Sequence, residues 1–179
     1  MSKNYTVNIL STNSIQRLIH QLEKYRDGLF DKAKLLAKRL AEEGVMIAGA
    51  QIVDLDAVFT GELLKSVRME EQINNVFAIV TDSEHACFVE FGTGQRGMDS
   101  PYPFPLPEGV SWKYINPYSG KIRHNPVTGN YYWFYPGLDG KWHYTEGMPA
   151  RPFMYNTSLE LQKIIVDVAR EVFGDNVGK

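Results

Sequence analysis

All nine prolines of this 179-residue chain lie beyond Ser100, at positions 101, 103, 105, 107, 117, 126, 136, 149 and 152. Proline has no amide hydrogen and its ring clashes with the preceding helical turn. The first 100 residues are therefore free to form long helices, and the middle of the chain is not. The aromatic residues divide at the same place: residues 102–144 hold 12 of the 22 Phe, Trp and Tyr, and the other 136 positions share ten. The order is a proline-free N-terminal part, an aromatic and proline-rich excursion over 95–146, and a C-terminal return. With 44% apolar residues, a chain of this size can bury about 70% of its unfolded surface, so one domain over 1–179 is expected.

In the N-terminal part, Asn13 or Ser14 can cap a helix that presents Ile15, Leu18, Ile19 and Leu22 on one face. Gly28 is expected to separate it from a second helix, whose stripe runs through Phe30, Ala33, Ala37, Leu40, Ala41, Gly44 and Ala48. The small residues at 41, 44 and 48 let that stripe approach a partner closely. Gly44 would otherwise cost roughly 1 kcal/mol relative to Ala. Thr60 is expected to cap a short turn of helix through Ser66, with Glu62 facing its positive end. Val67–Glu70 alternates with period two, Asn74-Asn75 suits a turn, and Val76–Val80 is apolar throughout, which together predict an antiparallel hairpin. Asp82 or Ser83 can cap a short helix ending at Gly92. The last helix follows Pro152 with Leu161, Ile164, Ile165, Val168, Ala169 and Val172 on one face and a Lys163–Asp167 pair opposite. The fold class is α+β: a small antiparallel sheet packed against a long N-terminal helix and a C-terminal helix, with an aromatic β-hairpin excursion.

Charge and motifs narrow the function classes. Nineteen basic residues against 21 acidic give a net charge of −2, which argues against specific nucleic-acid binding. No run approaches 18 apolar residues, so a membrane span is not expected, and the N-terminus carries no stretch of signal-peptide length. Gly92-Thr93-Gly94-Gln95-Arg96-Gly97 matches G-x-G-x-x-G, but the dinucleotide version needs a strand before it and a helix after it. Four prolines between 101 and 107 favour a helix stop and a flexible loop instead. Cys87, the single cysteine, with His85 is the one foothold for thiol chemistry. Two residues apart on a helix they point to different sides, so a small buried residue on an apolar face is the better reading of Cys87. His20, His85, His124 and His143 are scattered. No catalytic residue, cofactor or metal site is expected.

The excursion repeats a pattern twice. Trp112-Lys113-Tyr114 leads to Gly120-Lys121, and Trp133-Phe134-Tyr135 leads to Gly140-Lys141, each reading as strand, glycine turn, strand. Such aromatic hairpins suit a contact arm standing off the core, with Trp112, Tyr114, Tyr131, Trp133, Tyr135 and Trp142 as its interface. A carbohydrate-binding module is the alternative, since aromatic faces stack on sugar rings.

Three ordered blocks carry a resemblance to a known family. They are Thr60-Gly61-Glu62-Leu63-Leu64-Lys65-Ser66-Val67, Ala86-Cys87-Phe88-Val89-Glu90-Phe91-Gly92-Thr93-Gly94, and Gly147-Met148-Pro149-Ala150-Arg151-Pro152-Phe153-Met154. They resemble the T-G-x-L-x-x-S-[IV], Y-A-x-[YF]-V-E-[FY]-G-T and A-x-P-F signatures of the phage tail-component family typified by lambdoid "gene product ten" proteins and related to minor tail protein Z. His85 stands where that family commonly has Tyr, and only some members carry a long aromatic excursion. The resemblance implies a non-enzymatic virion protein of the head-tail junction, a neck or tail-completion component. It would be made in the cytoplasm of the host bacterium and assemble with other phage neck and tail proteins, as a homo-oligomeric ring in the virion. It also makes Thr60, Gly61, Leu63, Ser66, Glu90, Phe91, Gly92, Thr93, Arg151, Pro152 and Phe153 structural motif residues. Residues 89–93 and 151–153 are expected side by side, with Glu90 bonded to backbone N–H groups or to Arg151, because insertions are tolerated where exit and re-entry points are close. With no long heptad in the sequence, a monomer or weak self-association is expected in dilute solution.

Overall fold

The computed structural model describes residues 5–57, 60–115 and 121–174. The architecture is α+β. In chain order the elements are α1 (Thr12–Asp54), α2 (Glu62–Ser66), β1 (Arg68–Glu71), β2 (Phe77–Val80), α3 (Ala86–Phe91), α4 (Gly94–Asp99), β3 (Arg123–His124), β4 (Tyr131–Pro136), β5 (Trp142–Thr145), β6 (Gly147–Met148) and α5 (Phe153–Phe173). Two small antiparallel sheets form, one of β1 and β2, the other in the order β3-β4-β5. The chain gathers into two compact units. One comprises Met1–Val45, Met69–Ile79 and Leu159–Lys179, the other Met46–Arg68 and Val80–Ser158.

In the first unit, the small residues of α1 do what their size allows. Ala41 and Gly44 are buried, and a Cβ on Gly44 would overlap the side chain of Ile79 and stand 3.1 Å from Leu161. The helix, β2 and α5 thus meet where α1 has no side chain, which offsets the helical cost of the glycine. The β1–β2 connection turns through Asn74 and Asn75 at φ 64° and 59°, a left-handed conformation that asparagine tolerates better than most residues. The Gln72 N–H donates to the Val76 carbonyl across it at 2.7 Å. Lys34–Glu71 (2.8 Å) and Arg39–Glu171 (3.2 Å) are exposed pairs that add little.

The second unit is built around Ile52, Phe153 and Thr157, the most deeply buried large side chains. Thr157 satisfies its hydroxyl on the Phe153 carbonyl at 2.7 Å. Gln51 accepts from the Asn156 side chain at 3.0 Å, and Ser66 and Thr81 share a hydroxyl bond of 2.6 Å.

Three local expectations are corrected. Gly28 does not divide α1, which runs unbroken for 43 residues, about 65 Å. Its flanks are rich in Leu, Lys, Arg and Glu, good helix formers that outweigh one exposed glycine. Gly61, not Thr60, caps α2, at φ 76°, while Thr60 Oγ1 accepts from the Glu62 N–H at 3.3 Å. Lys163 pairs with Glu160 (2.6 Å) and Asp167 with Arg170 (2.7 Å) rather than with each other; both are three residues apart, an equally good helical spacing.

The two glycines of α1 separate experimentally. Nothing stands within 4 Å of a Cβ built on Gly28, so Gly28→Ala is expected to stabilise the protein by roughly 0.5–1 kcal/mol. Gly44→Leu must displace Ile79 and Leu161 and is expected to cost about 1–3 kcal/mol. Denaturant melts of the two variants check both signs.

Candidate functional site

The second and third sequence blocks meet at the start of α5. The chain enters that helix through Arg151-Pro152, and its first residues are Phe153-Met154-Tyr155, with no Ser, Thr, Asp or Asn at the entry to accept the orphan N–H groups of the first turn. Glu90 of α3 supplies the acceptor instead. The Met154 N–H donates to its Oε2 at 2.9 Å and the Tyr155 N–H to its Oε1 at 3.2 Å, across 64 and 65 residues of sequence. The carboxylate also lies at the positive end of a 21-residue helix dipole. Glu90 is only 7% exposed. Burial pushes its pKa above the ordinary value, and the two amide donors hold part of that rise back.

The surrounding motif residues complete the joint. The Arg151 N–H donates to the Val89 carbonyl at 2.8 Å. Gly92 ends α3 at φ 79°, and a Cβ there would stand 2.7 Å from the Ala150 amide nitrogen, so only glycine fits. Thr93 and Gly94 bridge to Met148 and Gly147, the Arg96 N–H reaches the Glu146 carbonyl at 3.1 Å, and the Ala150 N–H reaches the Ser100 carbonyl at 3.1 Å. The chain therefore leaves and re-enters at one place. Phe153 is fully buried and Leu63 and Phe91 nearly so.

The G-x-G-x-x-G stretch is not a flexible loop: α4 starts at Gly94, because the prolines begin only after its last turn. A helix, α3, precedes it where a dinucleotide fold would need a strand. Cys87 is exposed, not buried. Ala86, Val89, Glu90 and Phe91 of the same six-residue helix are buried, and the helical spacing of these four does not account for the exposure of Cys87.

The excursion splits into two parts with different roles. Its first part is built into the core. The Trp112 indole N–H donates to the Gly92 carbonyl at 2.8 Å, and the Gly94 N–H donates to the Tyr114 carbonyl at 2.7 Å. Phe91 lies 5.2 Å from the Trp112 ring and 5.0 Å from that of Tyr102, and Phe104 stacks on Tyr155 at 3.8 Å. Burial lifts the Tyr102 phenol to about 12, with the Glu90 charge adding to the rise. Trp112 and Tyr114 are thus packing residues, and the expectation of a wholly detachable arm is corrected for this part. No strand forms at Trp112–Tyr114, and Gly120, the turn expected after it, lies outside the described residues.

The second part is the β3-β4-β5 sheet. Its register sets Trp133 against Thr145, Phe134 against Tyr144, Tyr135 against His143 and Pro136 against Trp142. Alternation sends Tyr131, Trp133 and Tyr135 to one face. Trp133 there comes within 2.7 Å of the Cβ position of Gly94, and Tyr131 and Tyr135 pack on His124 and His143. The opposite face carries Tyr132, Phe134 and Tyr144, with ring centroids 5.2–6.1 Å apart, and the Arg123 guanidinium 5.9 Å from the Phe134 ring. Phe134 is 40%, Tyr144 51% and Trp142 71% exposed. Of the six interface residues expected from sequence, Trp142 is the one set out in solvent. Tyr132, Phe134 and Tyr144 were missed, although their period-two alternation with Trp133 and Tyr135 was there to be read.

Among the described residues no group of three His, Cys, Asp or Glu side chains is placed to hold a metal ion, and no helix is long and apolar enough to cross a membrane. Neither family models, curated proteins nor solved structures match this chain.

Two outcomes are expected from this geometry. Glu90→Gln keeps one acceptor oxygen and should cost about 1–2 kcal/mol at neutral pH. Because the folded pKa of Glu90 is raised, the native state holds the proton more tightly than the unfolded chain. Its contribution is fully present below the unfolded value and declines as pH rises through the folded one. The stability advantage of wild type over Glu90→Gln should therefore shrink with rising pH across that window, as read by denaturant melts at a series of pH values. Trp112→Phe should cost about 1–3 kcal/mol by leaving the Gly92 carbonyl without its donor, while Trp142→Ala should stay within about 0.5 kcal/mol of wild type. Equal losses in the two variants would contradict the division of the excursion.

Proposed function

We propose that the chain is a structural component of a phage or prophage head-tail junction, a neck or tail-completion protein that works by assembly with other neck and tail proteins in the virion. The reading rests on the three ordered sequence blocks. The observation that carries it is that Glu90-Phe91-Gly92-Thr93 and Arg151-Pro152-Phe153, the centres of two of those blocks, form one hydrogen-bonded joint. Glu90 and Thr93 turn their side-chain oxygens to backbone groups of the same chain, which fits a motif that serves shape, as an assembly protein requires.

Shape then serves contact. The joint holds the two ends of the excursion together and so fixes the β3-β4-β5 sheet, whose exposed face presents Tyr132, Phe134, Trp142 and Tyr144. Rigid aromatic side chains lose little entropy on binding and are enriched among interface anchors. In this reading that face receives a neck or tail protein. A second reading, a carbohydrate-binding module, is favoured by the same face, since Trp142 at 71% exposed could stack on a sugar ring.

Complementation separates the two. A phage or induced prophage lacking this chain is expected to yield tailless or unjoined particles by electron microscopy, and the wild-type chain supplied in trans is expected to restore joined ones. Trp142→Ala and Phe134→Ala should each weaken binding to the neck partner by on the order of 2 kcal/mol without lowering the melting temperature. Normal particles in the deletion, together with glycan binding that Trp142→Ala abolishes, would replace the assembly reading with the carbohydrate one.

A further inference from the structure

The β3-β4-β5 sheet has an open edge along β5. The Gly137 N–H donates to the Lys141 carbonyl at 2.7 Å, which fixes the phase of the ladder. Hydrogen-bonded and non-hydrogen-bonded pairs alternate from there, so Pro136–Trp142 and Phe134–Tyr144 are pairs of the second kind. The amide and carbonyl groups of Trp142 and Tyr144 therefore point away from β4. Among the described residues nothing bonds to them on that side. The next outward carbonyl, that of Glu146, is taken by the Arg96 N–H at 3.1 Å, so the open stretch stops at Tyr144. Sheet edges are ordinarily blunted by charge, proline or a bulge. Residues 142–145 are Trp-His-Tyr-Thr in unbroken register and have none of these.

The chain also holds a strand sequence that lies in no sheet. Tyr5-Thr6-Val7, ahead of α1, alternates apolar and polar in residues of high β-propensity. All three are exposed, and no hydrogen bond engages their backbone among the described residues. The junction with α1 is held separately, by the Ser11 N–H on the Asn8 carbonyl at 3.1 Å and the Asn8 N–H on Ser14 Oγ at 2.9 Å.

We infer that Tyr5-Thr6-Val7 of one copy adds to the β5 edge of a second copy as an antiparallel strand, with Tyr5 opposite Tyr144 and Val7 opposite Trp142. An unpaired edge calls for extended backbone rather than for any apolar surface, and this segment has the length of the open stretch. In that register both pairs exchange their backbone bonds. Tyr5 and Val7 then join Phe134, Trp142 and Tyr144 on the aromatic face, and Thr6 falls on the other face with His143. The reverse direction would pair the strands in parallel, which is slightly less stable per residue. Segment and edge each stay open in the single chain, so the occupant comes from another copy. Because the two surfaces differ, the contact is heterologous, and its repetition closes a ring or runs on as a filament. It supplies a contact for the ring of the proposed neck role and rests on that role for its use, but the pairing itself is measured on the isolated chain.

Cysteine pairs in a Cys87→Ser background read the register. Opposed residues of a hydrogen-bonded pair stand about 5.5 Å apart at Cα, within disulfide reach. Under mild oxidation, a mixture of Tyr5→Cys and Tyr144→Cys chains is expected to give a disulfide dimer of the two, identified by mass, and so is a mixture of Val7→Cys and Trp142→Cys chains. Thr6→Cys, whose side chain points to the other face, is expected to give none with Tyr144→Cys. Val7→Pro removes an amide that faces the edge and is expected to abolish the Tyr5→Cys to Tyr144→Cys cross-link without lowering the melting temperature. No mixed dimer, one no more abundant than the Thr6→Cys control gives, or one that survives Val7→Pro would overturn the pairing. Cross-linking of Tyr5→Cys with Trp142→Cys instead would overturn the antiparallel register. A chain carrying both Tyr5→Cys and Tyr144→Cys that closes on itself, while the mixture stays monomeric, would overturn the second copy as occupant. Normal phage particles from the deletion would overturn the neck role and leave the pairing standing.

Discussion

A buried carboxylate at the head of a long helix is the interaction on which the second unit depends. The first turn of α5 offers amide hydrogens with no local acceptor: Pro152 has none to offer, Phe153 is served by the Arg151 carbonyl at 2.8 Å, and Met154 and Tyr155 fall to Glu90. Leaving two part-buried donors unmet would cost up to roughly 1–3 kcal/mol each. Burying the carboxylate alone would cost more still. Each group solves the other's problem, and the solution exists only when α3 lies against the start of α5.

Several other features follow from that contact. Once Val89 and Arg151 are bonded, the chain between them must leave and return at neighbouring points, and Gly92, Gly94 and Gly147 are where backbone meets backbone too closely for a side chain. The excursion then has two obligations. Its first aromatic residues cover the joint, with Trp112 and Tyr102 against Phe91. Its remaining ones alternate along β4 and β5, half turned toward Gly94 and the histidines and half outward. The same aromatic richness is packing in one part and surface in the other.

The elements were largely legible because their signals are local. Small residues at steps of 3 and 4 marked the close approach at Gly44, Asn74-Asn75 marked the left-handed turn, and the period of the last helix marked α5. What misled was local too. Gly28 looked like a break but is one weak residue among strong helix formers, and Cys87 looked like core but is exposed on a helix whose Ala86, Val89, Glu90 and Phe91 are buried. The joint could be expected from the sequence, since an acidic residue in one block and a helix start without a cap in another are complementary. The division of the excursion could not, because which of Trp112, Trp133 and Trp142 is covered depends on strand register and on a bond to Gly92, both set by tertiary contacts. Of the residues named from sequence on this sheet, Tyr131, Trp133 and Tyr135 lie on the face turned toward Gly94 and the histidines, and Trp142 on the exposed one.

The direct probe of the Glu90 joint is the pH dependence of the Met154 and Tyr155 amide signals in ¹H–¹⁵N spectra. If both amides donate to one buried carboxylate, their resonances should lie downfield and move together through a single apparent pKa above the ordinary carboxylate value, and both should resist hydrogen exchange. Amides that do not titrate with Glu90, or that exchange as freely as open backbone, would contradict the account at its base.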